Sequence, residues 1–174
     1  MTTDKVQSRV QSNPICIEET VCMTYVVERM LASGKSSTVF VARAKDDTKQ
    51  NCVALKVVPI GNGHSALLNE IAVLKSVGCR EHFTKLFGIG LHRQYKFLAM
   101  ELLGPTLYDI IHRPQMQKLS LSSVVKIGIQ SLEALSTLHR AGFVHGKVRS
   151  ENLMIGYNKE TSGKIYLIGL SSFE

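Results

Sequence analysis

Phe143-Val144-His145-Gly146-Lys147-Val148-Arg149-Ser150-Glu151-Asn152-Leu153-Met154-Ile155-Gly156 is the stretch that decides the reading of this 174-residue chain. It is a polar loop that runs into an apolar segment, and it carries an imidazole, an ammonium and a carboxamide at His145, Lys147 and Asn152. On its N-terminal side, Val124, Val125, Ile129, Leu132, Leu135 and Leu138 recur at helical spacing. They predict a long amphipathic helix over 121–141, closed by Gly142. On its C-terminal side, 152–155 and 164–168 read as a hairpin-like pair around the polar turn 157–163.

Further outward the pattern changes period. Residues 25–31, 38–44 and 52–58 are rich in branched and aromatic side chains, and the short turns at 32–37 and 45–50 separate them. Three such segments in succession predict an antiparallel meander. Gly61-Asn62-Gly63 breaks it, and Leu67, Leu68, Ile71 and Leu74 predict a helix over 65–77 with Gly78 just past its end. Two more strands are expected at 86–91 and 95–101, and the chain turns helical after Gly104-Pro105. The polar residues 1–23 read as an arm outside this pattern. The order is five strands with one inserted helix, then helices, an α+β class without internal repeat.

Bulk composition, with 44% hydrophobic and 20% charged residues, suits a globular chain, and no apolar run reaches the ~18 residues a membrane helix needs. The polar N-terminus lacks the apolar core of a signal peptide, so an intracellular setting, cytoplasmic or nuclear, is expected. Cys16, Cys22, Cys52 and Cys79 have no metal-site spacing and read as buried or idle thiols. The net charge of +7 favours acidic partners, but the Lys and Arg are scattered and do not alternate with aromatics, which argues against nucleic acid. His64, His82, His92, His112 and His139 are expected at surfaces or helix ends.

The order of elements, with the residues at each station, resembles the eukaryotic protein kinase fold from about Thr24 onward. Met100-Glu101-Leu102-Leu103-Gly104-Pro105 is similar to the lobe-connecting hinge of the casein kinase 1 group, and His82-Phe83-Thr84-Lys85-Leu86-Phe87-Gly88-Ile89-Gly90 to its tau-tubulin kinase branch. The resemblance implies a five-stranded N-lobe over 24–101, then a hinge and partial helical C-lobe over 102–174. Val53-Ala54-Leu55-Lys56 matches the strand whose Lys grips nucleotide phosphates, which implies a pair between Lys56 and Glu70 on the inserted helix. Gly34 and Val39 would cover the nucleotide. Met100 would guard the back of its pocket, Glu101 and Leu103 would lie along the hinge, and Ala54 and Met154 would line the adenine from above and below. His145 would pack beneath the loop.

Three departures matter. Of the glycine-rich loop only Gly34 survives, in Ala32-Ser33-Gly34-Lys35-Ser36-Ser37. Lys147 stands where the family has the Asp that accepts the substrate proton. Gly169, in Gly169-Leu170-Ser171, stands where it has the metal-holding Asp of D-F-G, which leaves Asn152 as a weak sole metal ligand. A general base contributes about 10²–10⁴ in rate, roughly 3–5 kcal/mol of barrier. The resemblance therefore implies a pseudokinase that binds a protein partner (an active kinase, a substrate or a scaffold) without efficient phosphoryl transfer. ATP stays open as a ligand, with Lys147 and Lys56 balancing its charge, and magnesium is poorly served. An active serine/threonine kinase with relocated groups and a non-functional fragment remain as alternatives. The chain ends at Glu174, where the family's activation segment begins, so the helix over 121–141 is expected to be a contact face.

Overall fold

Strands rich in branched and aromatic residues, buried in consecutive runs along much of their length, draw the first half of the chain into one antiparallel sheet. The computed structural model describes residues 15–46, 51–61, 64–78, 80–114 and 118–170. The strands are β1 (Thr20–Val21), β2 (Tyr25–Ser33), β3 (Thr38–Ala44), β4 (Cys52–Pro59), β5 (Leu86–His92) and β6 (Tyr95–Glu101), in the order β1-β2-β3-β4-β6-β5. Helix α1 (His64–Val77) is inserted between β4 and β5. A second sheet, β7-β8-β9, is built from Leu103–Thr106, Leu153–Gly156 and Ile165–Leu167, with α2 (Leu107–Ile111) and α3 (Leu121–Arg140) beside it.

Local chemistry sets the element ends. The Thr106 and Asp109 side chains cap α2 reciprocally, and the Ser120 hydroxyl accepts from the Ser123 amide to start α3. Gly142, at φ +86°, ends α3 in a Schellman arrangement: its amide bonds the His139 carbonyl, and the Phe143 amide bonds that of Leu138. This is the glycine stop that the sequence predicts, and it points the chain into the loop at 143–152.

One core runs through both halves: Leu67, Val73, Leu74 and Val77 of α1 pack with Phe83, Leu98, Ala134, Leu138, Leu153 and Leu167. Burying each of the larger side chains contributes roughly 1.5–3 kcal/mol. A second core lies on the other face of the sheet, with Ile15, Val21, Tyr25, Val27, Phe40, Leu55 and Phe97.

Several expectations are corrected. The polar arm does not extend to residue 23: Ile15 and Val21 are fully buried, β1 pairs with β2, and Glu19 bonds His92 and Arg93. The large sheet has six strands rather than five for this reason. Leu68 is exposed on α1. Along α3 the expected exposed face is made by Leu121, Val124, Val125, Ile129 and Leu132, while Ala134 and Leu138 are buried. His82 is buried and His92 half-buried, so neither is a surface histidine. Cys16 and Cys22 are exposed free thiols, and Cys52 is half-buried. Residues 1–14, the turn 47–50, Asn62, Gly63, Cys79, the His64 side chain and Ser171 lie outside the described residues.

Candidate active site

Strand β4 presents Lys56 toward α1, and the Lys56 ammonium meets the Glu70 carboxylate at 2.5 Å. Only 18% of the Lys56 side chain and 8% of the Glu70 side chain reach solvent, so the pair is desolvated. The expected ion pair is present. Next to it Val41, Ala54 and Leu102 form a small buried patch, against which Val39, Cys52 and Met100 pack. Ala54 sits opposite Val41 on β3 and Met100 on β6, which places the small side chain between the sheet and the hinge. Leu103 opens β7 opposite Gly156, and Met154 of β8 lies half-buried opposite Thr106 and Tyr166.

Glu101 and Gly34 both make bonds within the chain. The Glu101 carboxylate turns to the outer side of the hinge, where it accepts from the Lys85 amide at 3.3 Å and the Tyr166 hydroxyl at 3.4 Å. There it lines a cavity of about 590 Å³ with Tyr25, Cys52, Phe87 and Tyr157. Burial and then the Glu101 charge hold the Tyr166 hydroxyl above its ordinary pKa. The Glu101 carbonyl is also engaged, by the Thr84 hydroxyl at 3.2 Å. Gly34 closes a tight hairpin instead of offering its amide: the amide donates to the Ser37 carbonyl at 2.8 Å. Lys35 stands exposed at the tip of this turn.

The loop after α3 is fixed by His145, which is buried. Its Nε2 lies 2.7 Å from the Ile168 carbonyl, and its Nδ1 lies 3.2 Å from the Lys147 amide. An amide only donates and a carbonyl only accepts, so these partners together require the neutral ring protonated on Nε2. His145 is thus the structural support expected. The Lys147 side chain is exposed and has no carboxylate partner among the described residues. Asn152 donates its side-chain amide to the Lys147 carbonyl at 2.8 Å, and its own carbonyl accepts from the Ile168 amide at 2.9 Å. Gly169 lies beneath this side chain at φ +79°. A Cβ on Gly169 would meet Asn152 Oδ1 at 2.8 Å, Cγ at 2.9 Å and Nδ2 at 3.0 Å.

A clamp that sequence reasoning missed joins the halves of the molecule. His82, at φ +72°, donates from Nδ1 to the Ile165 carbonyl at 2.8 Å, and its own carbonyl accepts from the Leu167 amide at 2.9 Å. Its Nε2 lies 3.3 Å from the Glu133 carboxylate of α3. No periodicity marks a single bridging residue in a short connection.

The protein kinase domain family matches residues 25–173. The chain belongs to the protein kinase family. A Dictyostelium discoideum protein classed as a serine/threonine-protein kinase is 28% identical over 144 residues, covering 83% of this chain and 29% of that one. A Caenorhabditis elegans protein classed as a casein kinase I is 26% identical over 145 residues, covering 82% and 42%. Human dual specificity tyrosine-phosphorylation-regulated kinase 3 is 28% identical over 158 residues, covering 87% and 27%. The chain therefore spans less than half the length of these relatives. A crystal structure of a kinase domain superposes with a TM-score of 0.78 at 20% identity, covering 92% of this chain and 55% of that one, which shows the fold.

The kinase fold uses ATP and magnesium in general, and the two fit this site unequally. The Lys56–Glu70 pair and the apolar patch of Ala54, Val39 and Met100 suit a nucleotide. The metal end does not suit magnesium, which prefers carboxylates. The residues there supply one neutral carboxamide oxygen, from Asn152, since Gly169 has no side chain and the Lys147 ammonium has no lone pair. Among the described residues no three of His, Cys, Asp and Glu gather into a metal-binding group, and no helix is long and apolar enough to cross a membrane.

Proposed function

We propose that this chain is a casein kinase 1-like pseudokinase of the tau-tubulin kinase branch, which binds a protein partner, and ATP, without efficient phosphoryl transfer. One observation carries the reading. The sequence puts an ammonium at 147 and a bare Cα at 169, so neither position offers a proton acceptor or a metal carboxylate. Among the described residues, Glu70 is committed to Lys56, Glu101 faces the outer side of the hinge, and Glu151 is engaged by Arg149 and Ser150.

The residues that remain support binding. Lys56, oriented by Glu70, would meet the α- and β-phosphates, and Lys147 would add a second positive charge at the far end of the triphosphate. Ala54, Met154 and Leu103 would hold the base. The exposed row on α3, from Leu121 to Leu132, is the face that a partner kinase, substrate or scaffold would use. An intracellular site of action, cytoplasmic or nuclear, fits the family.

An active serine/threonine kinase is the second reading, and the intact Lys56–Glu70 pair favours it, because that pair positions ATP for transfer. Radiolabelled phosphate transfer from ATP to casein and to the chain itself, with magnesium present and Lys147→Ala as control, separates the two. The pseudokinase reading expects background incorporation from both proteins. Incorporation that needs magnesium or Lys147 would establish the second reading.

A further inference from the structure

We infer that the cavity on the outer side of the hinge is a docking site for one arginine side chain of a protein partner. This goes beyond the proposed function, since it stands whether or not the cleft transfers phosphate. Strand pairing separates the two sites. Ala54 and Met100 are paired across β4 and β6 on the nucleotide side. The neighbouring pair, Val53 and Glu101, points to the opposite face because successive strand residues alternate. The cavity there measures about 590 Å³, a size typical of ligand sites.

Its polar groups are under-used. Tyr25 is 8% exposed and packs its ring edge-on against Phe97, yet its hydroxyl makes no hydrogen bond among the described residues. Gly88 makes room for that hydroxyl, since a Cβ there would lie 3.0 Å from its oxygen. A buried hydroxyl left without a partner is destabilising, and a ligand that supplies the partner removes this cost. The Glu101 carboxylate accepts two long bonds, from the Lys85 amide at 3.3 Å and the Tyr166 hydroxyl at 3.4 Å. An ionised carboxylate has room for about four.

The unused oxygens of Glu101 and Tyr25 require a cation rich in N–H donors. Phe87 and Tyr157 line the same cavity and are 53% and 56% exposed, so their rings are open to a ligand. Aromatic rings attract cations. A guanidinium meets both demands: it is planar, stacks on rings, donates several parallel bonds and sheds water more easily than an ammonium. Lys85 also lines the cavity without pairing with Glu101, and the chain carries a net charge of +7. A run of basic residues is therefore repelled, and the site takes a single arginine.

The test is a nuclear magnetic resonance titration of the isotope-labelled chain with the peptide acetyl-Ala-Arg-Ala-amide. Saturable shifts are expected at the backbone amides of Lys85, Glu101 and Tyr157. Glu101→Gln keeps an acceptor for the chain's own bonds and is expected to weaken binding about tenfold. Tyr25→Phe keeps the ring against Phe97 and is expected to weaken it about threefold. Tyr157→Ala, at an exposed position, is expected to do so by about threefold as well. Peptides with citrulline or lysine in place of the arginine are expected to bind about fivefold more weakly or worse. An absence of saturable shifts overturns the inference, as does binding that the three variants leave unchanged or that either control peptide matches. Saturable shifts confined to the Lys56 side of the hinge overturn it too. No nucleotide is present, so failure here leaves the phosphoryl-transfer reading untouched, and the converse holds.

Discussion

On the proposed reading, the lysine at 147 reverses the sign of the charge where phosphate and proton would meet, and the glycine at 169 leaves out a carboxylate. The two losses are not repaired singly. Lys147→Asp is expected to leave phosphate incorporation into casein at background, because no carboxylate returns to hold metal. The Lys56–Glu70 pair gives the opposite case, a set of residues that is complete. Glu70→Gln strands a largely buried ammonium and is expected to cost about 2–3 kcal/mol in urea denaturation. The apolar pair Lys56→Met/Glu70→Leu is expected to lose less than Glu70→Gln alone, since both charges leave together. The pair was legible in the sequence because Val53-Ala54-Leu55-Lys56 resembles the family's strand, and that resemblance implied Glu70 on the inserted helix as the partner. The Asn152–Gly169 contact was not, because it depends on a loop path and a positive φ that no spacing encodes.

Among the elements, the main strands and α3 follow the sequence reading closely, since period-2 and period-3.6 patterns over seven or more residues leave little choice. Strand β1 escaped because two residues carry no period, and its polar neighbours disguised Ile15 and Val21. Val21 is nevertheless fully buried, and Val21→Ala is expected to cost about 2 kcal/mol by urea unfolding. The segment is also pinned by charge. Burial pushes the Glu19 carboxyl up, but the His92 ring, the Cys16 amide and Arg93 more than offset this and hold it below its ordinary value. A lowered carboxylate pKa stabilises the fold above the ordinary value of about 4.5, and the benefit is lost as pH falls through the lowered one. The melting temperature of wild type is expected to exceed that of Glu19→Gln at pH 7, with the gap closing below pH ~4.5.

Over the whole molecule, one core joins the two lobes while α3 shows an apolar row to solvent. Leu132 is 68% exposed, so Leu132→Glu is expected to change unfolding free energy by no more than about 0.5 kcal/mol. It is expected to reduce self-association in light scattering. The lobes themselves are tethered behind the cleft by His82, whose ring and backbone together bond β9 and face α3. A tether at the rear makes the molecule behave like a book glued at its spine. Tilting of one half on the other is confined to a rotation whose axis passes near that imidazole. Crystals grown in different packings should then overlay at 82 and 165–167, and fan apart progressively toward the hairpin at Gly34.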